Sequence, residues 1–285
     1  MSRLEKRIWI DTDPSMGLVF RDVDDALALL QALRSPGLEI VGVSVSYGNA
    51  PMAACLKICR NLIRRYGAWG KVGLSQVYAG AKKAGMAQGK SAADEALICC
   101  LEEGPLTYVA LAPLTNLASV LSARPDLQDR LEQVIFVGGR SSGRRFLFGH
   151  CPYEFHDANV VKDPQALACV LETKIPLALV PIELSVDVLL NREQIRRSAK
   201  SLKDGWRLRW ETWLWSWLWV RGVGLAGGPV FDSVAVLAAS HPERLSWRRV
   251  KVRMDGGELV MGGEEGRSVD WAGEVKEGTP EFWWP

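Results

Sequence analysis

Histidine is scarce in this chain, with three in 285 residues. The six cysteines contain no pair of CxxC units. Those two shortages argue against a zinc site, which draws on such ligands at such spacing. Cys55 and Cys59 stand one helical turn apart, and Cys99 and Cys100 are adjacent. A chain this long does not need a disulfide framework, so reduced, buried thiols are expected. Charge of one sign is also missing: 35 Lys and Arg against 33 Asp and Glu leave a net +2. That balance points away from nucleic acid or another polyanion. The pairs Arg64–Arg65, Arg144–Arg145 and Arg196–Arg197 are short and scattered, and read as solvated faces. No uncharged apolar run reaches the length of a membrane span. The opening MSRLEKRIWIDTDP lacks the apolar segment of a signal peptide. The expectation is a cytoplasmic protein with no membrane partner.

What is present is an ordinary globular composition, 48% apolar and 24% charged, long enough to bury a sizeable core. Apolar, β-branched runs recur at Ile8–Ile10, Ile40–Val45, Tyr108–Leu111, Val134–Val137 and Leu177–Ile182. Each is apolar on both faces, as strands of a buried parallel sheet are. Helical patterns alternate with them at Ala26–Leu33, Ala53–Arg65, Ser91–Glu102, Leu117–Leu121 and Pro164–Glu172. The alternation predicts an α/β fold, a mainly parallel central sheet with helices on both faces. No repeat or linker divides the chain, so residues 1–285 read as a single domain. A tryptophan-rich helical segment, about 191–227, and a polar tail of short strands and turns, about 255–285, belong to it.

Five aspartates fall within fifteen residues: Asp11, Asp13, Asp22, Asp24 and Asp25. Close like charges repel. Asp24 and Asp25 open a helix, where the dipole favours them, but a helix start needs only one or two such residues. Carboxylates with no nearby His or Cys suit a hard cation, Ca²⁺ or Mg²⁺. In open α/β sheets, ligands bind outside the carboxyl ends of the strands. That rule gathers Asp11, Asp13, Tyr47-Gly48-Asn49, Ala112-Pro113-Leu114 and Gly138-Gly139 at one crevice. Asp232 precedes an apolar helical run and reads locally as a cap or as a later ligand. A strand-end carbonyl in ALAPLTNLASVL, residues 110–121, offers a neutral oxygen.

The motifs resemble those of the inosine–uridine-type nucleoside hydrolases. The family opens on DxDPxxDDAxAL, and some members carry an insertion ending in DVDD. This chain reads DTDP, an insertion, then DVDDALALL. In family order follow GVSVSYGNA (42–50), VYAGA (77–81), ADEAL (93–97), VALAPLTNLA (109–118), VGG (137–139), DANVVKDPQA (157–166) and FDSVAVLA (231–238). The resemblance covers about residues 5–240.

The resemblance implies water-dependent cleavage of the N-glycosidic bond of ribonucleosides with a bound Ca²⁺. Asp13 matches the residue that binds metal and activates water. Asp25 and Asp232 match the other carboxylate ligands, and the Leu111 carbonyl matches the backbone ligand. Asp24, Asn49 and Asn159 match ribose contacts, and Asp11 a support that orients the loop. The resemblance also implies a homo-oligomer. Such chemistry suits these residue types: the sugar becomes oxocarbenium-like as the base leaves, and carboxylates stabilise that charge.

Several positions depart from the family. Asp157 stands where Glu is usual, with Glu154 an alternative for that place. His150 stands where a ribose-contacting amide is usual, and is either its replacement or a plain loop residue. Phe231 replaces a histidine that helps the base leave, and a phenyl ring donates no proton. Trp206, Trp210, Trp213 and Trp217 have helical spacing and are expected to face the core or a subunit contact. Trp215 and Trp219 fall on another face, and the stretch also offers rings for base stacking. The segment after VYAGA is short for a lid over the site. Arg140, Arg144 and Arg145 lie in an extended loop and are either solvated or placed against an anionic substituent. Two other readings stay open: hydrolysis of a different ribosyl compound on the same scaffold, and a non-catalytic nucleoside- or ribose-binding protein.

Overall fold

The β-branched runs become strands and the segments between them become helices. The computed structural model describes residues 5–85, 90–143, 146–185, 188–262 and 265–276. Its strands are β1 (Lys6–Thr12), β2 (Leu38–Val45), β3 (Val77–Ala79), β4 (Leu106–Ala110), β5 (Leu131–Val137), β6 (Arg140–Ser141), β7 (Leu177–Val180), β8 (Leu189–Leu190), β9 (Gly228–Pro229), β10 (Leu245–Asp255), β11 (Glu258–Met261) and β12 (Arg267–Val275). Its α-helices are α1 (Asp24–Arg34), α2 (Met52–Tyr66), α3 (Ala92–Glu103), α4 (Thr115–Ala123), α5 (Ala158–Lys162), α6 (Pro164–Glu172), α7 (Ile182–Ser185), α8 (Arg192–Lys200), α9 (Gly205–Glu211), α10 (Trp213–Trp217) and α11 (Phe231–Ser240).

The main sheet runs β3-β2-β1-β4-β5-β7-β12-β10-β11-β6. The first six strands in that order pair in parallel. The strand order reverses at β1, which lies between β2 and β4. That reversal is where an α/β sheet opens a crevice for a ligand.

Alternation along β1 separates two cores. Ile8 and Ile10 face the side of α1, α2 and α11, while Trp9 faces the side of α3, α4 and α6. Trp9 stacks on Tyr78 with ring centroids 5.6 Å apart and donates its indole N–H to Ser44 at 2.8 Å. The ring fits because the facing position is Gly42, where a β-carbon would lie 2.2 Å from it. Helix α3 starts where Ser91 accepts from the Asp94 N–H and Asp94 returns the bond, a capping box. Asp163 caps α6 and Pro164 fills its first position.

Three expectations need correction. The strand expected through Ile182 stops at Val180, because Pro181 supplies no ladder donor, and Ile182 opens α7. The strands expected only in the tail begin earlier, at Leu245, with an eleven-residue strand whose Leu245–Val252 part runs antiparallel to β12. Their signal was weak because β10 is half exposed and carries charged residues on its open face. The third is the core-facing reading of the tryptophan row. Trp206, Trp210, Trp213 and Trp217 are 68%, 76%, 53% and 43% exposed, whereas Trp215 is buried beside Gly228. The short helices dock through Leu208, Thr212, Trp215 and Ser216, so the regular row faces outward. Trp206, Trp210 and Trp213 line an open groove of about 580 Å³ together with Arg192, Arg196 and Arg209.

Candidate active site

The acidic segment folds back on itself where β1 ends. Thr12 Oγ1 donates to Asp25 Oδ1 at 2.7 Å, and the Asp13 N–H donates to the same oxygen at 2.9 Å. Asp22 accepts from the Val23 N–H at 2.7 Å and the Asp24 N–H at 3.4 Å, just ahead of α1. Ser15 Oγ donates to the Asp22 carbonyl at 2.6 Å and closes the insertion at its base. Asp24 and Asp25 are buried in the first turn, where Asp24 Oδ1 accepts from the Asp25 N–H at 3.1 Å.

Asn49 ties the two ends of the motif together. Its N–H donates to Asp13 Oδ2 at 2.7 Å, and its amide donates to Asp13 Oδ1 at 3.2 Å and Asp25 Oδ2 at 2.7 Å. Asp11 lies behind the site. It is buried and accepts from Ser44 (2.7 Å), Tyr108 (2.8 Å) and Asn116 (2.8 Å). Burial pushes its carboxyl up to about 6 even against those three donors.

Asp232, at the start of α11, arrives from the far end of the chain. Carboxylate oxygens of Asp24, Asp25 and Asp232 all lie within 4.8 Å of one another. The grouping differs from the expected Asp13, Asp25 and Asp232. Asp13 sits beside it with both oxygens engaged by Asn49. Desolvation, then neighbouring carboxylates, pushes Asp13, Asp24 and Asp232 well above the ordinary range. Buried carboxylates that repel each other are the set a hard cation would hold together.

The remaining expected residues separate into two groups. Asn159, in α5, donates its amide to the carbonyls of Leu111 and Val137, both at 3.1 Å, so the Leu111 oxygen faces the same crevice. Asp157 caps α5, accepting from Asn159 (3.1 Å) and Val160 (3.2 Å), and accepts from the Gly139 N–H at 2.7 Å. Burial raises its carboxyl to about 6. Glu154 instead pairs with Arg140 at 2.9 Å. His150 is not brought to the cavity: its N–H donates to the Val223 carbonyl and its exposed ring lies over Gly224. Arg140 is occupied by Glu154 and Glu258, while Arg144 and Arg145 lie outside the described residues, as do residues 86–89 of the short lid segment.

A cavity of about 200 Å³ joins these pieces. One end holds Asp22, Asp24, Asp25, Asn49, Asp157, Asn159 and Asp232. The other is aromatic: Phe146, Phe148, Phe155, Trp219 and Phe231. Phe148 is the hub, edge-on to Phe146 and Phe155 at 4.6 Å, to Trp219 at 5.1 Å and to Phe231 at 5.9 Å. Trp219 sits in a π-helical turn, Leu218–Val223, that continues α10. Sequence reasoning missed Phe146, Phe148, Phe155 and His156 on this lining. The aromatic density of FLFGHCPYEFH, residues 146–156, was the available signal.

A polar, acidic end and an apolar, ring-lined end suit a ligand with a polyol and a flat heterocycle. The site is thus an acidic, ring-lined cavity at the switch point of an α/β sheet. The family model for the inosine–uridine preferring nucleoside hydrolases matches residues 8–281, and the chain belongs to that family. It is an N-glycosyl hydrolase by that membership. An uncharacterized protein of Schizosaccharomyces pombe is 27% identical over 300 residues, covering 93% of this chain and 89% of its own length. A protein of Shigella dysenteriae named non-specific ribonucleoside hydrolase RihC is 27% identical over 228 residues, covering 68% and 69%. The fold matches a plant nucleoside hydrolase, PpNRh1, with a TM-score of 0.80, 21% identity, and 98% and 97% of the two chains covered. It also matches a purine-preferring ribonucleoside hydrolase from Gardnerella vaginalis with a TM-score of 0.80, 20% identity, and 98% and 96% covered.

Proposed function

We propose that the protein hydrolyses the N-glycosidic bond of ribonucleosides to free base and ribose, and depends on Ca²⁺. The observation that carries this reading is the cavity itself, acidic at one end and ring-lined at the other. Asp13, Asp25, Asp232 and the Leu111 carbonyl would hold the cation, with Asp24 beside them. Bound there, Ca²⁺ supplies positive charge that offsets the carboxylate repulsion and lowers the pKa of water.

Asp13 accepts a proton from the water that attacks C1′. Asp13 is buried and fixed for this task by the backbone and side-chain N–H groups of Asn49. Asp24, Asn49, Asp157 and Asn159 orient the ribose hydroxyls. Carboxylates around the ring stabilise the oxocarbenium-like charge. Phe231, with Phe148 and Trp219, receives the base, and this large aromatic surface favours purines or a broad range of bases. The free thiols at all six cysteines support a cytoplasmic location. The outward row of tryptophans supports assembly as a homo-oligomer.

The test is release of ribose from a panel of ribonucleosides, with Ca²⁺ and with a chelator, for the wild type and Asp13→Ala. Turnover that the chelator and the substitution both abolish supports the reading. Turnover indifferent to both refutes it.

A further inference from the structure

Breaking the glycosidic bond leaves its electron pair on a nitrogen of the base. A purine departs more readily as a neutral base when another of its ring nitrogens, such as N7, receives a proton. The five rings at the base end of the cavity have no readily ionised proton to give. His156 is the histidine on the same lining. Its Nδ1 donates to Glu258 Oε1 at 2.9 Å, which leaves Nε2 as the nitrogen that can exchange a proton with a ligand. Glu258, in β11, is itself held by Arg140 of β6, and Arg140 pairs with Glu154 at 2.9 Å. The imidazole thus has an anchored carboxylate behind it. Its side chain is 61% exposed, so bulk water can restore its proton.

Building on the nucleoside hydrolase reading above, we propose that His156 is the leaving-group acid and Glu258 its positioning residue. The C1′–N bond breaks with its pair going to the base, and the Nε2 proton passes to that base. The attacking water gives its hydroxyl to C1′ and its proton to Asp13. Solvent then returns a proton to His156 and takes one from Asp13, so the cycle balances. The charged groups around the ring are Glu258, Arg140 behind it, and Glu154 and Asp157 from its own segment. Arg140 shares the charge of Glu258, so the carboxylate orients the ring without being its sole counter-ion.

The experiment compares inosine with p-nitrophenyl β-D-ribofuranoside, whose nitrophenolate leaves without a proton. His156→Gln is expected to lower kcat/KM for inosine by about 10²–10⁴-fold and leave the nitrophenyl riboside unchanged. Glu258→Gln is expected to lower inosine turnover less. The loss in Glu258→Gln should likewise be confined to inosine and spare the nitrophenyl riboside. Equal loss on both substrates would make His156 structural and overturn the proposal. So would an unchanged rate on inosine, or a wild type that cleaves the nitrophenyl riboside but not inosine. A wild type that cleaves neither would overturn the hydrolase reading, and this proposal with it.

Discussion

Gly48 and Asp13 are packed so closely that no side chain fits between them: a β-carbon on Gly48 would lie 1.5 Å from Asp13 Oδ2. The next residue, Asn49, holds that oxygen through its N–H. Gly48→Ala is therefore expected to displace Asp13 with little change in the fold. Misplacement of a reacting group by about 1 Å costs on the order of 10²-fold in rate. Ribose-release kinetics and calcium titration should both weaken, and retention of both would show that Asp13 is elsewhere in the working enzyme.

Metal removal should matter more as the pH rises. Burial and mutual repulsion raise Asp13, Asp24 and Asp232 well above 3.8, and Asp22 rises as well. In the metal-free folded state these groups hold protons that the unfolded chain has already released. Above 3.8 the folded state therefore binds more protons, and its stability falls as pH rises toward the folded values. A cation that neutralises the carboxylates removes this loss. Thermal unfolding with Ca²⁺ and with chelator should diverge more at neutral pH than in acid. A constant gap would argue against a cation among these groups.

Asn116 supports the floor of the site. Its amide donates to Asp11 Oδ1 at 2.8 Å, and its carbonyl accepts from the Ala81 N–H at 2.8 Å. Asn116→Ala leaves both partners buried and short of a bond, at a cost of about 1–3 kcal/mol each. Denaturant unfolding should register the loss as a lower midpoint with an unchanged slope.

The tryptophans should separate by role. Trp215→Ala opens a hole in the core and should cost about 3–5 kcal/mol. Trp210→Ala, on the exposed row, should shift monomer stability by no more than about 0.5 kcal/mol. Trp219→Ala should leave the fold intact and raise KM for nucleosides, because its ring lines the base end. Parallel melting curves and steady-state kinetics distinguish the three.

Much of the scaffold and one half of the site were legible in the residues themselves. Helix α6 has the expected bounds, and the helices expected at Ala53–Arg65 and Ser91–Glu102 differ from α2 and α3 by one residue at each end. Periodicity and capping are local, so they survive without knowledge of the tertiary structure. Five aspartates in fifteen residues required a common explanation whatever the fold, and strand-end placement supplied one.

Other features depended on contacts between distant segments. Local spacing identified a row of tryptophans but not which side of α9 and α10 would meet the sheet. Trp215 won the core because Gly228 left room for its ring. His150 and His156 are both loop histidines six residues apart, and nothing local separates them. The Val223 carbonyl holds His150 outside the cavity, while Glu258 holds His156 on its lining. The aromatic end assembles from residues 146–155, Trp219 and Phe231, brought together only by packing. By itself, the sequence determined the alternating elements and the acidic loop, because those follow from short-range sterics and charge. Only the tertiary structure decided which rings and which histidine line the cavity, because that depends on burial and on partners far away in the chain.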